Sequence, residues 1–339
     1  MKLRQRPAPP RYFAVFLVTM LASGWALMTE RATAEDAARP EKTTGQMQPA
    51  SGSSFNYLPL ILRAYSFRLV RVNDYRAMAG LPALIENAEW SEGVALHTRY
   101  VVKTNQPTSY EDPLTFPDWY TTQGADAAVN SLLAYSDLIT TTNEQVIDFW
   151  IRSPFQALSI LDPELRATGF GDYAEADGQI VKAVGLDVRR GFNELPAPAY
   201  PVMFPANGVT VNLRSYSGAD YPNPLLHGNC GGYAGLPIIL QVGSGAQTVN
   251  LAPTDPTLIS TGGSPQEHCV FHENSFSVPS DQAATDYGRL LLNTRDAIVI
   301  IPRFALAQGA TYTVTVNAVV NGAPQTYTWS FRVAANAEP

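Results

Sequence analysis

The two histidines in the stretch QEHCVFHE are the first place to look for chemistry, because His268 and His272 lie there between Glu267 and Glu273. A zinc site needs three or four converging ligands. If this stretch is a strand, four residues span about 13 Å, too far for both rings to bind one ion. Cys269 and the surrounding β pattern favour a strand, so we interpret both side chains as surface or hydrogen-bonded histidines.

The other two histidines do not form a recognisable catalytic pattern. A serine nucleophile is poorly supported, since the sequence contains no G-x-S-x-G motif. His227 lies in the loop NPLLHGNCGG, where it is expected to face solvent or hydrogen-bond within a turn. The same loop lacks the Lys-Ser/Thr of a phosphate-binding loop. His97 falls on the apolar stripe of a predicted helix, where it is either a satisfied core histidine or a groove residue.

The N-terminus predicts export. Basic residues precede an apolar run from Phe13 to Met28, and Ala32-Thr33-Ala34 matches a signal-peptidase site. We therefore predict a signal peptide over 1–34 and a secreted or cell-surface protein. An uncleaved anchor is the alternative, but the run is short for a bilayer span. No later segment is apolar enough to cross a membrane.

The two cysteines, Cys230 and Cys269, predict one disulfide, because an even pair in a secreted protein is usually bridged. Closing a loop of this length stabilises a fold by about 4 kcal/mol. Redox or metal-binding cysteines would need C-x-x-C spacing or further cysteines. The pair is therefore expected to be structural.

Composition indicates a globular protein of about two domains. Hydrophobic residues make up 45% of the chain and charged residues 16%, which is inconsistent with disorder throughout. The net charge of −7, without a basic run after the first dozen residues, excludes nucleic acid as a partner.

Helices are predicted to dominate the first half of the folded chain, after a disordered linker at 35–56. The spacing predicts helices from about Ser66 to Gly80 and over 87–103, and a third helix over about Asp126 to Tyr135. A fourth helix begins at Thr142, which forms a capping box with Gln145, and ends before Pro154. Thr168–Tyr173 and the alternating segment 180–188 predict a hairpin at Asp177-Gly178.

Strands are predicted to replace helices beyond the proline-rich connector at 194–201, and no helical period is found there. Alternating segments predict strands at 209–213, 236–242 and 297–302, followed by a terminal hairpin around Asn321-Gly322. We predict an immunoglobulin-like β-sandwich at 202–335. The overall fold class is α+β.

The segments RLVRVNDYRAMAGLPAL, WSEGVALHTRYVVKTN and EQVIDFWIRSPFQALSILDPELRATGFG together resemble bacterial CAP domains. That superfamily includes cysteine-rich secretory proteins, antigen 5 and plant pathogenesis-related proteins. The resemblance covers about 66–190 and implies an α-β-α sandwich, which we place at 57–193. It also implies a groove in which two histidines and at least one glutamate hold a divalent metal.

All three metal positions implied by the resemblance are changed in this chain. Ser109 or Tyr110, in TSYEDP, takes the place of the first histidine, and Val129, before Asn130, takes that of the glutamate. Gln156 takes the place of the second histidine. Zinc needs imidazole, thiolate or carboxylate donors, so we predict that no metal or other cofactor is bound.

These observations favour a non-catalytic extracellular protein that binds a lipid, a cell-wall component or a protein through the remaining groove. The candidate groove-lining residues are His97, Ser109, Tyr110, Glu111, Asn130 and Gln156. One alternative is an extracellular hydrolase in which Glu111 or His97 acts as base. Another is an adhesion protein that acts through its β-sandwich.

Overall fold

The computed structural model describes residues 67–192, 198–216, 218 and 220–338. The predicted signal peptide and linker, and part of the predicted connector, lie outside these residues. The described residues all belong to one compact unit. None of their helices combines the length and the hydropathy that a bilayer span requires.

The region from 67 to 192 is built from helices and small sheets. After a 3-10 turn, its helices are α1 (Val70–Met78), α2 (Ala88–Thr104), α3 (Thr122–Asn130), α4 (Asn143–Arg152) and α5 (Pro154–Ile160). Its strands are β1 (Ile85–Glu86), β2 (Ser131–Ser136), β3 (Ala167–Thr168), β4 (Phe170–Ala174) and β5 (Lys182–Asp187). Strands β2, β5 and β4 form an antiparallel sheet in that order, and β1 pairs with β3 in parallel.

Local sequence signals explain where the longer helices begin and end. The Asn87 side chain accepts the backbone N–H groups of Glu89 and Trp90 and so starts α2, which ends where Asn105 turns left-handed with φ 56°. The predicted capping box of Thr142 and Gln145 starts α4 and is confirmed. Helix α2 then packs closely on the sheet, since a Cβ at Gly171 would lie only 2.4 Å from the backbone N of Ala95.

The prediction of a third helix over Asp126 to Tyr135 is wrong in its second half. The Thr121 hydroxyl accepts the N–H of Gly124 and starts α3 earlier, and the helix ends at Asn130. Residues Ser131–Ser136 form strand β2 instead, because each of them is paired with a residue of β5. The predicted hairpin of β4 and β5 is confirmed.

A buried arginine holds together the segments that carry the recognisable motifs. Arg76 donates hydrogen bonds to the carbonyl oxygens of four residues, namely Pro82, Ile160, Asp162 and Leu165, at 2.6–2.9 Å. Burial lowers the pKa of Arg76 to about 10. The Asn73 side chain donates from Nδ2 to the carbonyl oxygen of Leu84 and accepts the N–H of Leu84 at Oδ1. We call Arg76, Asn73 and their partners the clamp.

The region after residue 198 is mainly β-structure. Its strands are β6 (Val202–Phe204), β7 (Thr210–Leu213), β8 (Ile238–Gln241), β9 (Val249–Leu251), β10 (Thr257–Thr261), β11 (Ser264–Pro265), β12 (His268–His272), β13 (Ala297–Pro302), β14 (Thr311–Val320) and β15 (Ala323–Glu338). One sheet runs β11-β10-β14-β15-β7, with β9 also paired to β14, and the other runs β12-β13-β8-β6. The terminal hairpin predicted at Asn321-Gly322 is β14 and β15.

The predicted absence of helices in this region is wrong. Helix α6 (Gln282–Asn293) begins where the Asp281 side chain accepts the N–H of Ala284. Its buried residues Ala284, Gly288 and Leu292 recur every four positions, which is a helical spacing.

The two cysteines form the predicted disulfide, with Cα atoms 5.4 Å apart. Cys269 lies in β12, so the strand expected around His268 and His272 is confirmed. His268 hydrogen-bonds to the Thr257 hydroxyl through Nε2 and to the Gln266 carbonyl oxygen through Nδ1. Neither ring nitrogen of His268 is therefore left for a metal.

The helical and β-rich regions share one hydrophobic cluster of buried side chains. The Phe155 ring in α5 lies 6.1 Å from that of Phe271 and 5.1 Å from that of Phe276. Polar contacts join the same surfaces: Gln241 donates to the carbonyl oxygen of Leu161, and Arg295 pairs with Asp162 at 3.1 Å. The β-rich region is thereby fixed against helix α5.

Candidate functional site

A small cavity lies where helix α5, strand β2 and the β-rich region meet. Its volume is about 70 Å³ and it is partly open to solvent. Ser109 and Gln156 both line it, so the structure brings together two of the positions at which the resemblance implies metal ligands. We call this cavity the groove cavity.

The β-rich region closes part of the groove cavity. Tyr287 and Leu291 belong to α6, and Tyr221 precedes it in the chain; all three contribute to the wall. The rings of Tyr221 and Tyr287 are stacked, with centroids 6.4 Å apart and planes inclined by 22°. The cavity is therefore composite, and residues of the helical region alone would leave it more open.

Two polar atoms in the wall of the groove cavity are unpaired. The amide oxygen Oε1 of Gln156 and the hydroxyl of Ser131 are buried and have no hydrogen-bond partner among the described residues. Gln156 is 8% exposed and Ser131 is 1% exposed. A buried polar group without a partner costs about 1–3 kcal/mol, so both groups are energetically unfavourable in this structure. No described residue that lines the cavity carries a charge.

His97 and Glu111 form a separate pair beneath the protein surface, and both side chains are fully buried. The Nδ1 atom of His97 lies 3.1 Å from Oε1 of Glu111, and Nε2 lies 3.0 Å from the carbonyl oxygen of Thr108. Glu111 also accepts the N–H of Thr121. Because both ring nitrogens are occupied and solvent is excluded, the pair ties the segment 108–121 to α2.

The remaining predicted groove residues lie away from the groove cavity. Tyr110 is 60% exposed, and Asn130 donates to the carbonyl oxygen of Asp126 in its own helix. Val129, at the position implied for the glutamate, is 47% exposed on α3. None of the three lines the cavity, whereas Ser131, immediately after Asn130, does.

The donor set does not fit the metal that the resemblance implies. A hydroxyl and an amide line the cavity, and neither is among the imidazole, thiolate and carboxylate ligands that zinc prefers. Within the described ranges, no group of three or more His, Cys, Asp or Glu side chains converges. These residues therefore do not support a metal-dependent reaction at this site.

A larger depression lies next to the groove cavity and shares Tyr135 with it. Its volume is about 550 Å³, and Asn105, Asp137 and Gln179 contribute to its lining. In contrast to the groove cavity, no described residue that lines it has a buried polar atom without a partner. The groove cavity is therefore the better candidate for a specific site.

A buried carboxyl group lies beside the start of α5. Burial raises the pKa of Asp220 from its ordinary value of 3.8 to about 7. The hydroxyls of Ser153 and Tyr216 face it and lower that pKa in part, but neither makes a well-formed hydrogen bond with its oxygens. Because Asp220 is closed off from the surface, we expect it to affect the stability of the fold and not to contact a ligand.

Sequence reasoning missed the residues that the β-rich region contributes. Tyr221, Tyr287 and Leu291 lie more than sixty positions after Gln156, and no local pattern links them to the groove. The helix that carries two of them could have been found from Asp281 as a cap and from the four-residue spacing of its buried side. Ser131 could have been recognised as a cavity residue only if strand β2 had been predicted.

Comparison with protein families matches residues 69–184 to the model of the cysteine-rich secretory protein family, CAP. The match covers about a third of the chain and supports a CAP superfamily domain there. Comparisons with curated proteins and with solved structures found no match.

Proposed function

We propose that the protein is an extracellular, non-catalytic CAP-domain protein that binds a ligand in the groove cavity without a metal. One observation carries the proposal: the cavity contains Ser109 and Gln156 where the family resemblance implies histidines, and a neighbouring region closes it. Metal coordination at the groove is replaced by a small, uncharged pocket with unpaired polar atoms. Such a pocket is suited to binding.

The non-catalytic part of the proposal rests on the pair of His97 and Glu111. These are the two residues that a hydrolase using a rearranged site would employ as base. A general base must reach the proton that it removes from substrate or water. Both side chains are fully buried and bonded to each other and to backbone, which favours a structural role.

The extracellular part rests on the N-terminal sequence and on the disulfide. A basic segment, an apolar run and Ala32-Thr33-Ala34 have the order of a secretory signal. The Cys230–Cys269 bridge is compatible with an oxidising compartment. Export is tested by N-terminal sequencing of the mature protein, which should begin near residue 35; a protein that retains residues 1–34 would contradict cleavage.

We further propose that residues 202–335 form an immunoglobulin-like β-sandwich. Two sheets whose buried side chains enter the same hydrophobic cluster support it. In this proposal the sandwich forms part of the wall of the groove cavity through Tyr221, Tyr287 and Leu291. The proposed domain boundaries are 57–193 for the CAP domain and 202–335 for the sandwich.

The proposal is tested on protein purified under native conditions, by native mass spectrometry combined with elemental analysis. We expect no stoichiometric zinc, and a bound or exchangeable small molecule that is lost when Gln156 is changed to Met. The Asn130→Ala variant is the control, because Asn130 is half-buried and does not line the cavity. One equivalent of zinc lost on changing Gln156 would overturn the proposal.

A further inference from the structure

Three polar side chains close in the chain to the groove cavity are buried without a well-formed hydrogen bond to another described residue. The atoms concerned are the hydroxyls of Ser153 and Tyr216 and both carboxyl oxygens of Asp220. These residues are 0%, 4% and 8% exposed, respectively. We call the three residues the polar latch. Because buried polar groups without partners are unfavourable, the polar latch is a weak point inside the fold.

The polar latch joins two walls of the groove cavity. Ser153 immediately precedes α5, which contributes Phe155 and Gln156 to the lining. Asp220 immediately precedes Tyr221, which belongs to the wall on the side of the β-rich region. The Ser153 hydroxyl faces the Asp220 carboxyl group across the boundary between the two. A change at Asp220 therefore acts on both walls.

Side chains hold the short segment that carries Asp220 and Tyr221. Neither residue makes a backbone–backbone hydrogen bond within the described ranges. The Tyr221 ring stacks on Tyr287 of α6, and the Asp220 carboxyl group lies in the polar latch. The segment can therefore move outward without breaking a backbone–backbone hydrogen bond at either residue.

The protonation state of Asp220 determines how well the polar latch can be satisfied. A neutral carboxyl group can donate to one hydroxyl and accept from another, whereas a carboxylate can only accept. Burial raises the pKa of Asp220 from 3.8 to about 7, and the hydroxyls of Ser153 and Tyr216 lower it only in part.

No positive charge compensates an ionised Asp220 in the polar latch. None of the groups that shift its pKa is a charged side chain. Tyr216, the titratable group that faces it, stays neutral because burial raises the pKa of its phenol well above the ordinary value. Arg152, next to Ser153 in the chain, lies 4.0 Å from Glu338. A carboxylate buried without a counterion is unfavourable, so ionisation favours movement of Asp220 into solvent.

We propose that the polar latch controls access to the groove cavity through one proton on Asp220. The neutral side chain holds the Tyr221 segment against α5, and the ionised side chain releases it. Release carries the Tyr221 ring away from the cavity and uncovers the polar atoms of Gln156 and Ser131, which are buried in the closed form. The inference rests on the proposed function, since it describes how access to the same site is regulated.

The pKa of Asp220 sets the direction of the pH dependence. The closed form keeps its proton up to about pH 7, whereas an open form with an exposed carboxyl group loses it near pH 4. The closed form is therefore favoured at low pH, and this preference is lost as the pH rises through 7. Between pH 5 and pH 8 the equilibrium constant for opening should rise by up to about a hundredfold.

The first test measures how fast dithiodipyridine reaches a cysteine placed in the cavity wall of the full chain. Ser159 lines the cavity and is 7% exposed, and Ser159→Cys adds a single free thiol because both native cysteines form the disulfide. Its labelling rate is divided by that of Asp118→Cys, at an exposed position, to correct for reagent reactivity at each pH.

The expected labelling result depends on Asp220. Between pH 5 and pH 8 the corrected rate at Ser159→Cys should rise at least about tenfold more in the wild-type background than in the Asp220→Asn background. The amide of Asp220→Asn stays neutral and keeps the groove closed at both pH values. An equal rise in the two backgrounds would overturn the inference.

Hydrogen exchange followed by mass spectrometry tests the same opening without an added cysteine. At pH 8 the segment 216–226 of the wild type should be at least about tenfold less protected than the β14–β15 hairpin, because it opens locally. Asp220→Asn should remove most of this difference at pH 8 and much less of it at pH 5. Equal protection of segment and hairpin in the wild type at pH 8 would contradict the inference.

The outcomes separate this inference from the proposed function, because neither measurement needs a ligand. A metal-free protein whose groove is labelled equally in both backgrounds would overturn the role of the polar latch and keep the function. A protein that contains stoichiometric zinc at the groove would overturn the function itself.

Discussion

The clamp and the groove cavity occupy neighbouring parts of the same region but differ in how completely their polar groups are satisfied. In the clamp, Arg76 bonds four backbone carbonyl oxygens, and Asn73 bonds both backbone groups of Leu84. In the groove cavity, Gln156 and Ser131 each have a buried polar atom without a partner in the described part of the chain. Recognisable motifs are retained where they stabilise the fold and changed where the resemblance implies chemistry.

Removing the guanidinium group of the clamp should have the largest effect. Arg76→Met removes the donor of four carbonyl oxygens, three of them in buried hydrogen bonds, so we expect the free energy of unfolding to fall by about 3–5 kcal/mol. Urea unfolding followed by circular dichroism measures it. Arg99→Met is the control, because Arg99 lies exposed over the Trp119 ring and its loss should cost less than about 1 kcal/mol. Equal losses in both variants would contradict the role of the clamp.

The buried carboxyl beside α5 should give the next largest effect, and one that depends on pH. Burial raises the pKa of Asp220 from 3.8 to about 7, so the folded state keeps a proton that the unfolded chain releases. The stability that this bound proton contributes to the folded state is complete below about pH 4 and is lost as the pH rises through 7. At pH 8 the free energy of unfolding of Asp220→Asn should therefore be up to about 4 kcal/mol higher than that of the wild type.

The same Asp220→Asn substitution should change stability little at pH 4, where both side chains are neutral. Asp118→Asn, at an exposed position, is the matched control and should change stability by less than about 0.5 kcal/mol at either pH. Thermal unfolding across pH 4–8 measures both. If the difference in stability between the wild type and Asp220→Asn did not depend on pH, the assignment of a raised pKa to Asp220 would be contradicted.

The pair of His97 and Glu111 should give a smaller loss. His97→Phe fills the space but removes one hydrogen-bond partner from Glu111 and one from the carbonyl oxygen of Thr108, so we expect a loss of about 2–3 kcal/mol. The double variant with Glu111→Gln should lose less than the sum of the two single variants, because the side chains are in contact. Additive losses would indicate that they do not act as a pair.

How far the sequence predicts this structure depends on how local each signal is. The capping box of α4, the hairpin of β4 and β5 and the disulfide are set by neighbouring residues or by an unambiguous pairing, and all were predictable. Strand β2 was missed because its pairing with β5, fifty residues later, overrides its local pattern. Ser109 and Gln156 were placed by the motif frame, whereas the wall from α6 depends on tertiary packing that no local pattern reports.

Restoring a single carboxylate at a changed motif position should have the smallest effect. Val129 is 47% exposed and does not line the cavity, so Val129→Glu should change the free energy of unfolding by less than about 0.5 kcal/mol. It should also give no zinc binding, since zinc needs further converging ligands. A zinc-dependent rise in melting temperature of Val129→Glu would place this position in the site.

The central claim, that the groove binds without a metal, is tested most directly by titrating zinc into the chelator-treated wild-type protein in a calorimeter. We expect no saturable zinc binding at the groove and no difference between wild type and Gln156→Met. Stoichiometric binding of one zinc ion that is abolished by Gln156→Met would contradict it.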